Sequence, residues 1–271
     1  MWDFEHPPLS ASLALRYQID RMTPAECADR LAAGQADIGL IPIAALAANP
    51  ALRILPGCTI ASKKRVRSLL LVHRAGQPIA AVRSVAADTA SLTTLAYARI
   101  LFHHWGNAEV PFLPASADLD SMLDIADAAI LIGDPALLAL EEQANRFERT
   151  REPLVYLDLA QEWHSITGLP FVSAVWAITP GAPGLDSETW DSISNDFNQS
   201  RIHGLQNIDA LVEEWSNKLP IPEETIRTYL TANIHYALDD ECIEGMKAFF
   251  RMAASLGILP EYNLRDSGVC G

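Results

Sequence analysis

The sequence predicts an α/β protein of two similar lobes with a ligand cleft between them. Three observations carry this. Short apolar runs alternate with helix-forming segments over the first two thirds of the chain, the pattern of mixed layers. "ADIGLIPIAAL" (36–46) and "ADAAILIGDPALL" (126–138) repeat one order: Ala-Asp, an apolar strand, a proline turn and a new helix. The 271 residues leave room for two lobes of about 100 to 150 residues each. The expected division is 1–82 with 180–271 as lobe one and 83–179 as lobe two, with crossings near residues 80 and 180. Each lobe is expected to hold its own parallel sheet. Strand-to-helix turns then face the cleft, because ligands collect at the carboxyl ends of parallel strands.

The elements follow in order. In "PAECADRLAAGQADIGLIPIAAL", Cys27, Leu31 and Ala32 fall on one helical face, Gly34 suits a C-cap, and the strand "IGLIPI" leads to a short helix at 44–48. "LRILPGCTIAS" and "VRSLLLVHR" are strand-like runs on either side of the basic turn Lys63-Lys64-Arg65. Residues 82–105 read as strand, hydroxyl-rich turn and helix, and "DSMLDIADAAILIGDPALLAL" as helix, strand and helix. "FVSAVWAIT" is the next strand. From Ser187 the chain reads as helical through "DSETWDSISNDF", "IDALVEEWSNKL", "PEETIRTYLTANIHYAL" and "DDECIEGMKAFFRMAASLGIL".

Composition narrows the function. A chain with 49% hydrophobic and 20% charged residues is globular. Its net charge of -14 argues against nucleic acid and anionic membranes as partners, since both need clustered cations. A small anion held by a few local donors remains compatible with that charge. No run approaches the ~20 apolar residues of a membrane span. "MWDFEHPPLS" has neither the basic start nor the apolar core of a signal peptide, so the expected location is cytoplasmic. Cys27, Cys58, Cys242 and Cys270 form no CxxC pair and read as buried or idle thiols, with neither a metal site nor disulfides expected. His103 and His104 point away from each other on a helix and are not a metal pair, and His235 is read with the same caution. His6 in "FEHPP" is either an acid–base group or a strand-end residue. Trp105, Trp163 and Trp176 sit in apolar patterns and read as core.

The stretch "DTASLTT" (88–94) carries most of the chemistry. Four hydroxyls, Thr89, Ser91, Thr93 and Thr94, occupy a strand-to-helix turn that has no glycine, so it is not a phosphate loop. Ser91 is expected to cap the helix by accepting from the backbone N–H groups of Thr93 and Thr94. A helix start offers N–H donors and a partial positive charge, which suit a carboxylate. The alternative is a cap with a solvated turn and no ligand.

"ADIGLIPIAAL", "VRSLLLV", "DTASLTT", "ILIGDPAL" and "VYLDLAQEWHSITGLPFVSAVWAI", in this order, resemble the menaquinone-biosynthesis family that contains chorismate dehydratase of the futalosine pathway. The resemblance runs from Trp2 to about residue 180 and more loosely through the tail. Its most specific part is W-x-x-x-TGLPFV-x-A-x-W together with "IGDPAL". It implies a fold like that of type 2 periplasmic binding proteins, used inside the cell. It also implies a cofactor-free lyase whose partner is a small molecule: chorismate loses water to become 3-[(1-carboxyvinyl)oxy]benzoate. Such a lyase, a monomer or a homodimer, must fix geometry, help hydroxide leave and receive a proton.

By the same resemblance Ser91 matches the family serine that binds substrate and supports catalysis, with Thr93 and Thr94 beside it. Ser68, Gly133 and Asp134 are further substrate-binding candidates. Thr167 and Gly168 are expected to shape the pocket wall, and Phe171 to pack on the substrate ring. Each has a structural alternative: a strand hydroxyl for Ser68, a helix cap for Asp134, loop and core for the last three. The resemblance also implies a strand ending in "SYLNT-x-P" ahead of "WDFEHPP", its asparagine a catalytic candidate. The sequence opens at Met1-Trp2 without a match to it, and a sheet lacking that strand is expected to expose an unpaired edge. Two other functions fit the pattern: the sister enzyme that releases 1,4-dihydroxy-6-naphthoate, and a non-catalytic solute receptor.

Overall fold

A computed structural model describes residues 1–88, 91–179 and 187–267. Its strands are β1 (Ile38–Pro42), β2 (Arg53–Ser62), β3 (Leu69–Arg74), β4 (Val85–Ala87), β5 (Phe112–Pro114), β6 (Ala128–Ile132), β7 (Leu154–Asp158) and β8 (Phe171–Ile178). They form a three-stranded sheet ordered β1-β8-β2 and a five-stranded sheet ordered β5-β4-β6-β3-β7. The two repeats fold alike, as β1 with the Ala44–Ala48 helix and β6 with the Asp134–Glu141 helix, one in each sheet.

Neither sheet is purely parallel, which corrects the expectation. β4 is parallel to β5 and β6, but β3 runs antiparallel to β6 and β7, and β8 antiparallel to β1 and β2. The reason lies in how the chain changes sheets. It leaves the first sheet at Ser62, the carboxyl end of β2, and enters the second at Leu69, which lies opposite Ile132 at the carboxyl end of β6. It returns at Phe171, opposite Ser62. A strand entered from the carboxyl edge must run against its neighbours. The sheet changes therefore fall at 63–68 and 159–170, earlier than crossings near 80 and 180, because β3 and β8 are equally apolar and carry no mark of which sheet they join.

Asp158 fixes the first change of sheet. Its carboxylate, 5% exposed, accepts from the backbone N–H groups of Val66 at 3.1 Å and Arg67 at 2.6 Å. It also caps the Leu159–Thr167 helix, accepting from Ala160 and Gln161 at 3.1 Å. Arg67 takes the left-handed conformation, φ 67°, uncommon for a residue with a side chain.

The second change of sheet is held by aromatic packing together with a buried hydrogen bond. Trp163, fully buried, donates its indole N–H to Pro170 O at 3.0 Å. Tyr97 stacks on Phe171 with centroids 3.8 Å apart and meets Trp163 at 4.9 Å and Phe249 at 4.3 Å. This aromatic group belongs to one core that draws on both sheets, and each ring contributes roughly 2–3 kcal/mol by burial. Gly245 lets the Asp240–Ser255 helix come close, since a Cβ there would lie 2.5 Å from Pro170 O.

The tail is less helical than expected. The helix expected through "PEETIRTYLTANIHYAL" covers Glu223–Thr228, widens to a π-type turn at Tyr229–Asn233 and then stops. Residues 235–238 run instead along β2, with Ala61 N–H to His235 O at 2.9 Å, His235 N–H to Ala61 O at 2.7 Å and Thr59 N–H to Tyr236 O at 3.0 Å. β2 is an edge strand, and its backbone donors draw this segment out of helix. β1 is the other edge of that sheet. Among the described residues no helix is long and apolar enough to cross a membrane.

Candidate functional site at the facing carboxyl edges

The strand registers bring the chemistry-bearing turns together. Ala87 lies opposite Ile130, Leu69 opposite Ile132 and Leu70 opposite Asp158, so the turn after β4, Gly133–Asp134, Ser68 and Asp158 share one edge of the five-stranded sheet. β1 and β2 end on the corresponding edge of the other sheet. The two edges meet where Thr93 Oγ1 accepts the Ala44 N–H at 3.0 Å.

The three described hydroxyls of the 88–94 turn differ in what they hold. Ser91 occupies the cap position of the Leu92–His104 helix, and its carbonyl accepts from Leu95 N–H at 3.0 Å. Its side chain does not take the N–H groups of Thr93 and Thr94, a correction to the sequence reading. The half-buried Ser91 Oγ donates to Thr94 Oγ1 at 3.0 Å instead. The pair leaves the helix start without a side-chain cap, a donor surface with partial positive charge. Thr93, 3% exposed, is committed to tying the edges together. Thr89 lies outside the described residues.

Ser68 has a partner that sequence reasoning missed. Tyr229, at the start of the π-type turn, donates its phenolic O–H to Ser68 Oγ at 3.1 Å, while Ser68 O accepts from Gly133 N–H at 2.7 Å. Burial raises the Tyr229 pKa, the Ser68 bond lowers it and the Asp134 charge raises it again, with a net rise that keeps the phenol protonated. The sequence signal was faint, because the tyrosine lay inside an apparently unbroken helix. π-type turns recur at functional sites, and only the fold shows this one. Gly133, φ 71°, has nothing within 4 Å of where a Cβ would stand, so its backbone faces open space. Asp134 is exposed and opens the Asp134–Glu141 helix, with Gly133 at the cap position. Lys63, Lys64, Arg65 and Arg67 lie in the segment that leads to Ser68, a local cationic stretch in an acidic chain.

Three expected wall residues have other work. Thr167 Oγ1 donates to Trp163 O at 2.7 Å and accepts from Leu169 N–H at 3.1 Å, closing a helix end. Gly168, φ 71°, is the left-handed C-cap of that helix. Phe171 is 1% exposed and stacked on Tyr97, so its ring belongs to the core, not to a substrate surface. A cavity of about 230 Å³ lies away from the hydroxyls, against a face of the three-stranded sheet. Leu40, Trp176, Phe197 and Arg201 line it, and His6 does too, stacked on Trp2 at 3.8 Å. Its walls are mainly apolar and the Ser91 and Ser68 groups do not reach it.

Residues 3–255 match the family described as menaquinone biosynthesis. The chain belongs to that family. A relative, the chorismate dehydratase of Thermus thermophilus, is 28% identical over 260 residues, 93% of this chain and 91% of that protein. Among solved structures, protein AF1704 of Archaeoglobus fulgidus superimposes with a TM-score of 0.68 at 15% identity, covering 95% of this chain and 94% of that one. The periplasmic aliphatic sulphonate binding protein SsuA of Escherichia coli gives 0.63 at 14% identity, covering 95% and 85%. The CA3427 gene product of Candida albicans, described as having the generic periplasmic binding protein fold, gives 0.57 at 14% identity, covering 89% and 80%. This family member therefore has the two-lobed fold of periplasmic binding proteins.

Proposed function

We propose that this chain is a cytoplasmic lyase that dehydrates chorismate to 3-[(1-carboxyvinyl)oxy]benzoate without a cofactor. The observation that carries the reading is the presence of two hydroxyl pairs, Ser91 with Thr94 and Ser68 with Tyr229, along the carboxyl edge of the five-stranded sheet that faces the other sheet. The likeness to a chorismate dehydratase over nearly the whole chain supports it. Chorismate carries two carboxylates. One docks at the start of the Leu92–His104 helix, where backbone N–H groups without a partner among the described residues can donate and Ser91 Oγ can turn its hydrogen from Thr94 Oγ1 to the ligand. The other lies toward Ser68 and Tyr229.

In the reaction the C3 proton passes to an acceptor as the C4 hydroxide leaves, the ring becomes aromatic, and the acceptor then returns the proton to the hydroxide as water. The substrate's own side-chain carboxylate takes the C3 proton, so the chain need not supply a strong base. The departing hydroxide needs hydrogen-bond donors, and the hydroxyls of the two pairs supply them. Holding the substrate so that proton and hydroxide lie correctly contributes up to about 7–11 kcal/mol. A single well-aimed donor adds about 3 kcal/mol. The test is purified protein with chorismate, followed by ultraviolet absorbance and mass. Appearance of the enol-ether benzoate supports the reading. No loss of chorismate, with release of 1,4-dihydroxy-6-naphthoate from a cyclic futalosine derivative, would replace it with the sister enzyme.

A further inference from the structure

His235, Asp239 and Cys242 stand far from any CxxC pattern, yet the fold gathers them. One ligating atom of each lies within 4.8 Å of the others, with His235 Nε2 and Asp239 Oδ2 2.9 Å apart. We propose that these three residues bind a divalent transition-metal ion, zinc by the chemistry of the set, as a structural clip.

Three supports hold the donors in place. His235 is bonded both ways through its backbone to Ala61 on β2. Asp239 caps the Asp240–Ser255 helix, accepting from Cys242 N–H at 3.0 Å. Cys242, in the first turn of that helix, is fully buried, while His235 and Asp239 keep about a third of their side chains open to solvent. An ion therefore has an entry path and a rigid floor. Zinc bonds of about 2.0–2.3 Å place one sulfur and two lighter tetrahedral donors about 3.3–3.6 Å apart, so the His235–Asp239 pair opens by about 0.4 Å and the widest pair closes by no more than about 1.3 Å. Imidazole, thiolate and carboxylate together favour zinc over magnesium or calcium, which take oxygen donors.

The local charges also close. Lys63 Nζ lies 2.7 Å from Asp239 Oδ2 and 2.5 Å from Glu241 Oε2, so one ammonium faces two carboxylates. A divalent ion that displaces the Cys242 proton leaves the group neutral, with Lys63 still paired to Glu241. The proton is released to solvent and no redox change is involved. Because Lys63 opens the 63–68 change of sheet, the clip ties the tail to the segment that leads to Ser68.

The test is a cobalt(II) titration of the chelator-treated full chain. One equivalent should bind and give a thiolate-to-cobalt charge-transfer band, which zinc then displaces. Cys242→Ser should abolish the band, and His235→Asn, at a partly exposed position, should weaken cobalt binding at least tenfold with the band retained at saturation. No band in the folded wild-type chain overturns the proposal. So does a band that survives Cys242→Ser, which would assign the ion to another thiol. If Cys242→Ser does not fold, His235→Asn decides: affinity unchanged from wild type overturns the clip. None of these outcomes depends on chorismate turnover.

Discussion

Ser91 and Thr93 stand two residues apart on one helix start and serve different ends. Among the described residues Ser91 Oγ bonds only to Thr94 Oγ1, and it is half-buried, so Ser91→Ala should lower chorismate turnover about 100-fold while leaving stability within about 0.5 kcal/mol. Thr93 Oγ1 satisfies the buried Ala44 N–H, so Thr93→Val should destabilise by about 1–3 kcal/mol in urea denaturation. Equal stability losses in the two variants would contradict this division. The hydroxyl-rich turn was legible in the sequence; the division was not. Which threonine meets Ala44 depends on how two sheets face each other, and local sequence holds no record of that. Phe171 misled for a related reason, since an aromatic residue beside a site motif reads the same whether it lines the cleft or fills the core. Tyr229 was invisible until the tail was placed.

At the scale of elements, the connections hold more of the design than the strands. Asp158 gathers four backbone N–H groups from the 63–68 segment and the following helix. Asp158→Ala should cost about 3 kcal/mol and speed hydrogen exchange at the Val66 and Arg67 amides before the β-sheet amides. Uniform acceleration over the whole chain would show that Asp158 has no local role. Most of the longer strands and helices followed from periodicity, whereas β5, β7 and the Leu159–Thr167 helix did not. The Pro24–Ala32 helix, for example, was read from Cys27, Leu31 and Ala32, and its capping box of Thr23 and Glu26 emerged only with the structure. Strand direction did not follow. An apolar run such as "SLLLVH" fits a buried strand either way up, and the carboxyl-edge entry of β3 decides it. The helix read through residue 238 failed likewise, because its backbone found a better partner in β2.

The whole molecule stores a pH dependence in its second sheet. Burial lowers the pKa of His73, 6% exposed on β3, against a weaker opposing effect of its bonds to the backbone. The folded chain thus binds a proton less readily than the unfolded one, whose histidine titrates near ~6.5. Stability from this group is present above that pH and falls as pH drops through it toward the lower folded value. The urea midpoint should therefore decrease between about pH 7.5 and 5.5, and His73→Leu should flatten that change. A midpoint that rises on acidification, or a variant with the same slope, would contradict the assignment. The two-lobed plan was legible at this scale from the repeat at 36–46 and 126–138. The sheet boundaries were not, for the reasons β3 and β8 give.

The central claim is that the facing carboxyl edges dehydrate chorismate. Its most direct test is the steady-state rate at which the purified chain converts chorismate, measured beside Ser91→Ala at matched folded concentration. The account predicts formation of 3-[(1-carboxyvinyl)oxy]benzoate by the wild-type chain and a fall of about two orders of magnitude in the variant. Equal rates for the two proteins, or a folded wild-type chain that leaves chorismate unchanged, would contradict it.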